Sequence, residues 1–224
     1  MKRKSVANIF NTCLYLLMTL VLSAPINAQE LNFTLHDLQK NPIENMVIYL
    51  EPINNLALPK TNKSITIGQL NKSFAPYVSI IQVGNTVNFK NQDDITHHIY
   101  SPVGDNKFEF KIRSGQIHSK ADFNSSGEVA MGCNIHDWMS GYLLILETPY
   151  FAKSDKQGQL TINVEQPEKY RVTVWHPNLE TDNNRATYLM DTRETSTMPI
   201  TLTAPISNLP EQKSEDDFDF LSDY

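Results

Sequence analysis

After residue 28, no stretch of the chain keeps apolar residues at the three- and four-residue spacing that a buried helix face requires. Short alternating runs recur instead, such as Leu160-Thr161-Ile162 and Tyr170-Arg171-Val172-Thr173-Val174, with glycine, asparagine or proline between them. Side chains two apart on an extended chain share a face, so each run can bury one side against another sheet. The predicted fold class is all-β, with enough chain for two β-sandwiches. At 40% apolar and 20% charged residues, the composition is that of a globular protein rather than a disordered one.

The first 28 residues read as a leader. Lys2, Arg3 and Lys4 precede an apolar run over 9–22, and Ser-Ala-Pro-Ile-Asn-Ala follows, which is the arrangement of a secretory signal peptide cut after Ala28. The run is short for a membrane span and none as long follows it, so the prediction is an exported, periplasmic protein with no membrane span after cleavage. The leader holds three of the 19 basic residues and none of the 25 acidic ones. The mature chain is therefore strongly acidic, which argues against nucleic acid as a partner.

Cleavage also removes Cys13 and leaves Cys133 as the one thiol, so an internal disulfide is impossible. An unpaired thiol in an oxidising compartment is open to mispairing and oxidation unless something occupies it. Cys133-x2-His136-x2-Met139 places a thiolate, an imidazole and a thioether within seven residues. Zinc gains little from a thioether, and calcium or magnesium needs oxygen donors, whereas two histidines, a cysteine and a weak axial methionine form the electron-transfer copper set. The second imidazole comes from His97 or His98. Neighbouring residues on a strand face opposite sides, so only one of the two can face the metal.

Upstream, Val83-Gly84-Asn85-Thr86-Val87-Asn88-Phe89 leads through an asparagine-containing turn into Thr96-His97-His98-Ile99. Together with the Cys-His-Met loop and the closing strand over 141–147, this resembles the cupredoxin (blue copper) family across about 64–147. The two-residue gap between His136 and Met139 is similar to amicyanin, whereas plastocyanin has a longer one. The resemblance implies a Greek-key cupredoxin sandwich holding one type 1 copper ion through His97, Cys133, His136 and Met139, and a role in carrying single electrons. His98 falls where the family usually has an asparagine that ties the two ligand loops, and stands as the alternative to His97. The resemblance further implies that His136 is the ligand nearest the surface, with Ile135 and Trp138 beside it as an apolar patch where a redox protein docks. Trp138 reads equally well as core packing.

Beyond residue 147, Ser154-Asp155-x2-Gly158-x-Leu160 and Tyr170-x-Val172-x-Val174 resemble the second half of a carboxypeptidase-regulatory-like, Ig/transthyretin-like β-sandwich. Its first half would lie upstream, in strands over 31–37 and 46–51 with a turn at Asn41, Pro42 and Ile43. The expected organisation is a signal peptide over 1–28, first strands of the accessory sandwich over 29–60, a cupredoxin domain over 61–147, the remainder of the accessory sandwich over 148–204, and a disordered tail over 205–224. The cupredoxin is either inserted into the other sandwich or flanked by a strand extension and a separate small module. Six acidic residues and one lysine mark the tail.

An electron carrier, rather than a catalyst, leads the functional readings. A copper-trafficking or storage protein using the same donors, or an envelope β-sandwich binding module, are the alternatives. Hydrolase and kinase readings lack their Gly-x-Ser-x-Gly, His-Glu-x-x-His or phosphate-loop parts, and six scattered histidines are too few for a second copper centre.

Overall fold

A computed structural model describes residues 28–54 and 56–208, so nearly all of the expected signal peptide and most of the expected tail lie outside the described residues. The chain is all-β. Its strands are β1 (Gln29–His36), β2 (Val47–Pro52), β3 (Ser64–Leu70), β4 (Ser73–Ala75), β5 (Val78–Gln82), β6 (Thr86–Asn91), β7 (His97–Ser101) and β8 (Phe108–Ile112). They continue with β9 (Ile117–Lys120), β10 (Gly127–Cys133), β11 (His136–Leu146), β12 (Phe151–Lys153), β13 (Gln159–Val164), β14 (Lys169–Trp175), β15 (Arg185–Asp191) and β16 (Thr197–Thr201). No helix among the described residues is long and apolar enough to cross a membrane.

The strands form four sheets. Sheet I has the order β13-β1-β16 and sheet II the order β12-β2-β14-β15, so both draw on the two ends of the chain. Sheet III (β5-β11-β10-β7-β8) and sheet IV (β4-β3-β6-β9) come wholly from the segment between β2 and β12, which is an insertion in strand order.

Side-chain alternation decides how the sheets stack. Leu31, Phe33 and Leu35 of β1 and Leu160, Ile162 and Val164 of β13 meet Ile48, Leu50, Val172 and Val174 in a core between sheets I and II. A second core joins Ile67, Val87 and Phe89 of sheet IV to Ile99, Val129, Met131, Leu143 and Ile145 of sheet III. Two strands carry consecutive apolar residues, Val47–Leu50 and Leu143–Leu146, because they are buried on both faces. Their other faces give Val47, Tyr49, Leu144 and Leu146, which pack with Val78 and Trp175 into a third core that sets sheets II and III back to back. At that junction Arg185 pairs with Glu128 at 2.6 Å and its Nε donates to the Tyr49 hydroxyl at 3.1 Å.

The Ser154–Leu160 signature has a local physical cause. Asp155 Oδ1 accepts the Gln157 and Gln159 N–H groups at 2.9 and 2.8 Å and so shapes the turn into β13. At Gly158, φ is +70° and an added Cβ would lie 2.4 Å from the Leu35 carbonyl oxygen, so only glycine fits. Ser154 Oγ donates to the Ile43 carbonyl at 2.7 Å and accepts the Met46 N–H at 3.0 Å, pinning the upstream loop. The first residues of the expected tail, 205–208, are held by the fold. Ile206 bridges to Leu179, Ser207 N–H donates to the Asn178 carbonyl, and Ile206 packs on the first core.

His176 follows β14 and is buried, with its Nδ1 accepting the Asn178 N–H at 3.2 Å. Burial pushes its imidazole down to about 4. The unfolded chain therefore takes up the proton first as pH falls, so stability is full above about 6.5 and declines toward pH 4 by on the order of 3 kcal/mol. His176→Gln keeps an acceptor and removes this proton uptake. Its urea midpoint should fall less between pH 7 and pH 4.5 than that of the parent protein, and an equal or larger fall would contradict the assignment.

Candidate metal centre

Strand register, rather than any distant contact, aims the first two candidate donors. In β10 the inward side chains are Val129, Met131 and Cys133, and in β7 they are His97, Ile99 and Ser101. The two strands pair with Ile99 opposite Cys133 and Tyr100 opposite Gly132, so His97 lies one inward step along from the thiol. The same alternation turns His98 outward. The tight turn Asn134-Ile135 then joins β10 to β11 with Cys133 directly opposite His136, which places both side chains on one face. The register shifts between Gly132 and Cys133, leaving 137–139 as extra residues in β11.

The donor atoms converge. His97 Nδ1 is 3.6 Å and His136 Nδ1 3.7 Å from Cys133 Sγ, and the three donor atoms lie within 4.8 Å of one another. Exposure is 0% for His97, 3% for Cys133 and 8% for His136, which makes His136 the most accessible of the three. A first-row metal at about 2.0 Å from nitrogen and about 2.3 Å from sulfur spaces these atoms about 3.5 to 3.7 Å apart, for tetrahedral to trigonal angles. The two nitrogen–sulfur separations therefore match those a metal ion requires. Met139 is buried in the same core as Cys133 and Met131.

The electrostatics favour the metal-binding forms of Cys133 and His136, while those of His97 favour its protonated ring. Burial pushes the Cys133 thiol up, but the His97 hydrogen bond and those from the backbones of Ile135 and His98 outweigh it and hold the thiol below its ordinary value. Burial and the neighbouring His97 and Lys72 keep the His136 imidazole below its ordinary value, so its lone pair is free at neutral pH. Burial would lower His97, yet its bonds to Cys133 and Asp93 prevail and raise it.

The remaining sequence-predicted residues take separate places. His98 donates from Nε2 to Glu109 at 2.6 Å and accepts the Asn134 side-chain amide on Nδ1 at 3.1 Å, while its carbonyl accepts the Asn134 N–H at 2.9 Å. Its ring thus ties the loop after β10 to β7. Ile135 is 53% exposed beside His136, whereas Trp138 packs partly on the core with its ring 5.2 Å from that of His136.

One neighbour carries no local sequence signal. Asp93 Oδ2 accepts the His97 Nε2–H at 2.7 Å. The loop before β7 brings it there, shaped by Asn91, whose amide donates to the Ile95 and Ile112 carbonyls at 2.6 and 2.9 Å and accepts the Asp93 N–H at 2.9 Å. Burial raises the Asp93 carboxyl, but bonds from His97, Lys72 and Asn71 outweigh it and hold it below the usual carboxylate value.

No protein-family model and no curated protein matches the chain. Among solved structures it is similar to a copper-containing nitrite reductase from Thermus scotoductus SA-01, at 27% identity over 43% of this chain and 25% of that one, with a TM-score of 0.36. The chain thus spans a quarter of that protein's length. It is also similar to a Cu(I) variant of amicyanin, at 15% identity over 43% of this chain and 98% of that one, with a TM-score of 0.34. A purple cupredoxin from Nitrosopumilus maritimus shares 24% identity over 38% of this chain and 99% of that one, with a TM-score of 0.32.

Asn91 is fully buried, and removing its amide strands two carbonyls and one N–H. Asn91→Ala is expected to cost about 2–3 kcal/mol in urea unfolding of the metal-free protein. A loss below about 0.5 kcal/mol would show that water replaces these bonds and that Asn91 does not shape the loop.

Proposed function

We propose that the chain is an exported, periplasmic type 1 copper protein that carries single electrons between redox proteins. His97, Cys133 and His136 would hold one copper ion, with the Met139 thioether as a weaker fourth donor. The observation that carries this reading is the buried convergence of one thiol and two imidazoles, 3.6 and 3.7 Å apart. The chemistry of the donors favours copper: a thiolate with two imidazoles and a nearby thioether suits an ion that alternates between softer and harder states.

Bound copper supplies a reversible one-electron change. The residues do the rest. Cys133 gives up its proton to bind, while His97 and His136 present neutral ring nitrogens. Strands β7, β10 and β11 hold these groups against the core shared with sheet IV, so the donors have little room to move as charge changes. Burial keeps bulk water from the sulfur. The exit for the electron is the His136 end, where Ile135 offers an exposed apolar contact beside a ligand ring, and the docking partner is another redox protein.

The visible absorption spectrum after adding cupric ion tests this directly. An intense copper–thiolate band is expected, and Cys133→Ser should remove it while the far-UV circular dichroism stays unchanged. His97→Ala should lose the band. His98→Ala should keep it, with affinity reduced by no more than the roughly 10–100-fold typical of a residue acting behind a ligand. A colourless protein that nevertheless holds cuprous ion would replace electron transfer by copper trafficking, and no copper binding at all would overturn the reading.

A further inference from the structure

The carboxylate behind His97 is built into the fold more firmly than a chance neighbour. Asp93 Oδ1 accepts the Asn71 N–H at 2.7 Å, and Oδ2 accepts the Lys72 N–H at 3.0 Å together with the His97 Nε2–H at 2.7 Å. Asn71 and Lys72 form the two-residue turn between β3 and β4, and both have positive φ, +53° and +56°, without being glycine. Such backbone is held only where surrounding bonds fix it, and the Asp93 carboxylate supplies two of them. Asp93 is itself fixed, since its N–H donates to Asn91 Oδ1 at 2.9 Å. Its side chain is only 9% exposed.

Resting on the copper reading above, we propose that Asp93 is the positioning residue for His97: it fixes the Nε2–H tautomer and lowers the reduction potential of the centre. The tautomer follows from donor counting. Two backbone N–H groups cannot become acceptors, and a carboxylate only accepts, so the ring nitrogen facing Asp93 must carry the proton. In the neutral ring that metal binding requires, the other nitrogen, Nδ1, is then left with its lone pair toward Cys133 Sγ and the metal position. The potential follows from charge. A fixed negative charge behind the imidazole makes that ligand more basic and favours the more positive oxidation state, and partial burial weakens the screening by water.

Two measurements separate this inference from the copper reading. In the metal-free protein, at a pH high enough for the His97 ring to be neutral, long-range 1H–15N correlation of that ring should show protonated Nε2 and bare Nδ1. This needs neither copper nor a variant, so it stands even if no copper binds. An Nδ1–H tautomer in the parent protein would overturn the proposal. In the copper-loaded protein, Asp93→Asn should shift the one-electron equilibrium toward the reduced form by about tenfold, an upward shift of ~59 mV. Asp93→Glu, which keeps the charge, should return the potential toward the parent value. Asn71→Gly, which relaxes the turn but keeps the backbone donor, should leave it unchanged. An unaltered potential in Asp93→Asn, or an equal shift in Asn71→Gly, would reduce Asp93 to a structural role and overturn the redox part.

Discussion

The cross-strand pairing of Cys133 with His136 is the constraint from which the centre follows. Paired residues on antiparallel strands project from the same face, so a two-residue turn is enough to bring a thiol and an imidazole together. The register of β10 against β7 then adds His97 from the same face. A one-residue slip in either pairing would turn a donor outward and replace it with Gly132 or His98. Gly132 marks how closely that register is fitted, because a Cβ there would come within 3.0 Å of the Tyr100 ring.

What holds the register is the layering of the sheets. β11 is an inner strand of sheet III and is buried on both faces along 143–146, with Leu143 and Ile145 toward sheet IV and Leu144 and Leu146 toward sheet II. The sandwich formed by the two ends of the chain therefore acts on the centre at a distance. It covers the outer face of the strand that carries His136 and Met139, and sliding that strand would disturb two cores at once. Close-packed interiors resist such displacement. Beside the centre, His98, Asn91 and Asp93 each join segments that are separate in sequence.

Much of this was legible in the sequence because the period of two carries it. The alternation in Gly127–Cys133 already places Cys133 with Val129 and Met131, and the same rule allows only one of His97 and His98 to face inward. Consecutive apolar residues in β2 and β11 signalled strands without saying that both lie between sheets. That requires knowing which strands pair, and β1 pairs with β13 and β16 from more than a hundred residues away. Asp93 was illegible for a related reason. A carboxylate four residues before a histidine faces it on a helix but not on a strand, and here an irregular loop makes the approach while its other two partners come from the turn after β3. Composition alone also did not show that Ile206, at the edge of an acidic segment, packs on the first core.

The most direct test of the account is X-ray absorption at the copper edge of the copper-loaded protein. The account predicts one short copper–sulfur contact together with two imidazole nitrogens, and loss of that sulfur contact in Cys133→Ser. A shell of nitrogen and oxygen only, or one built from several sulfurs without imidazole, would contradict it.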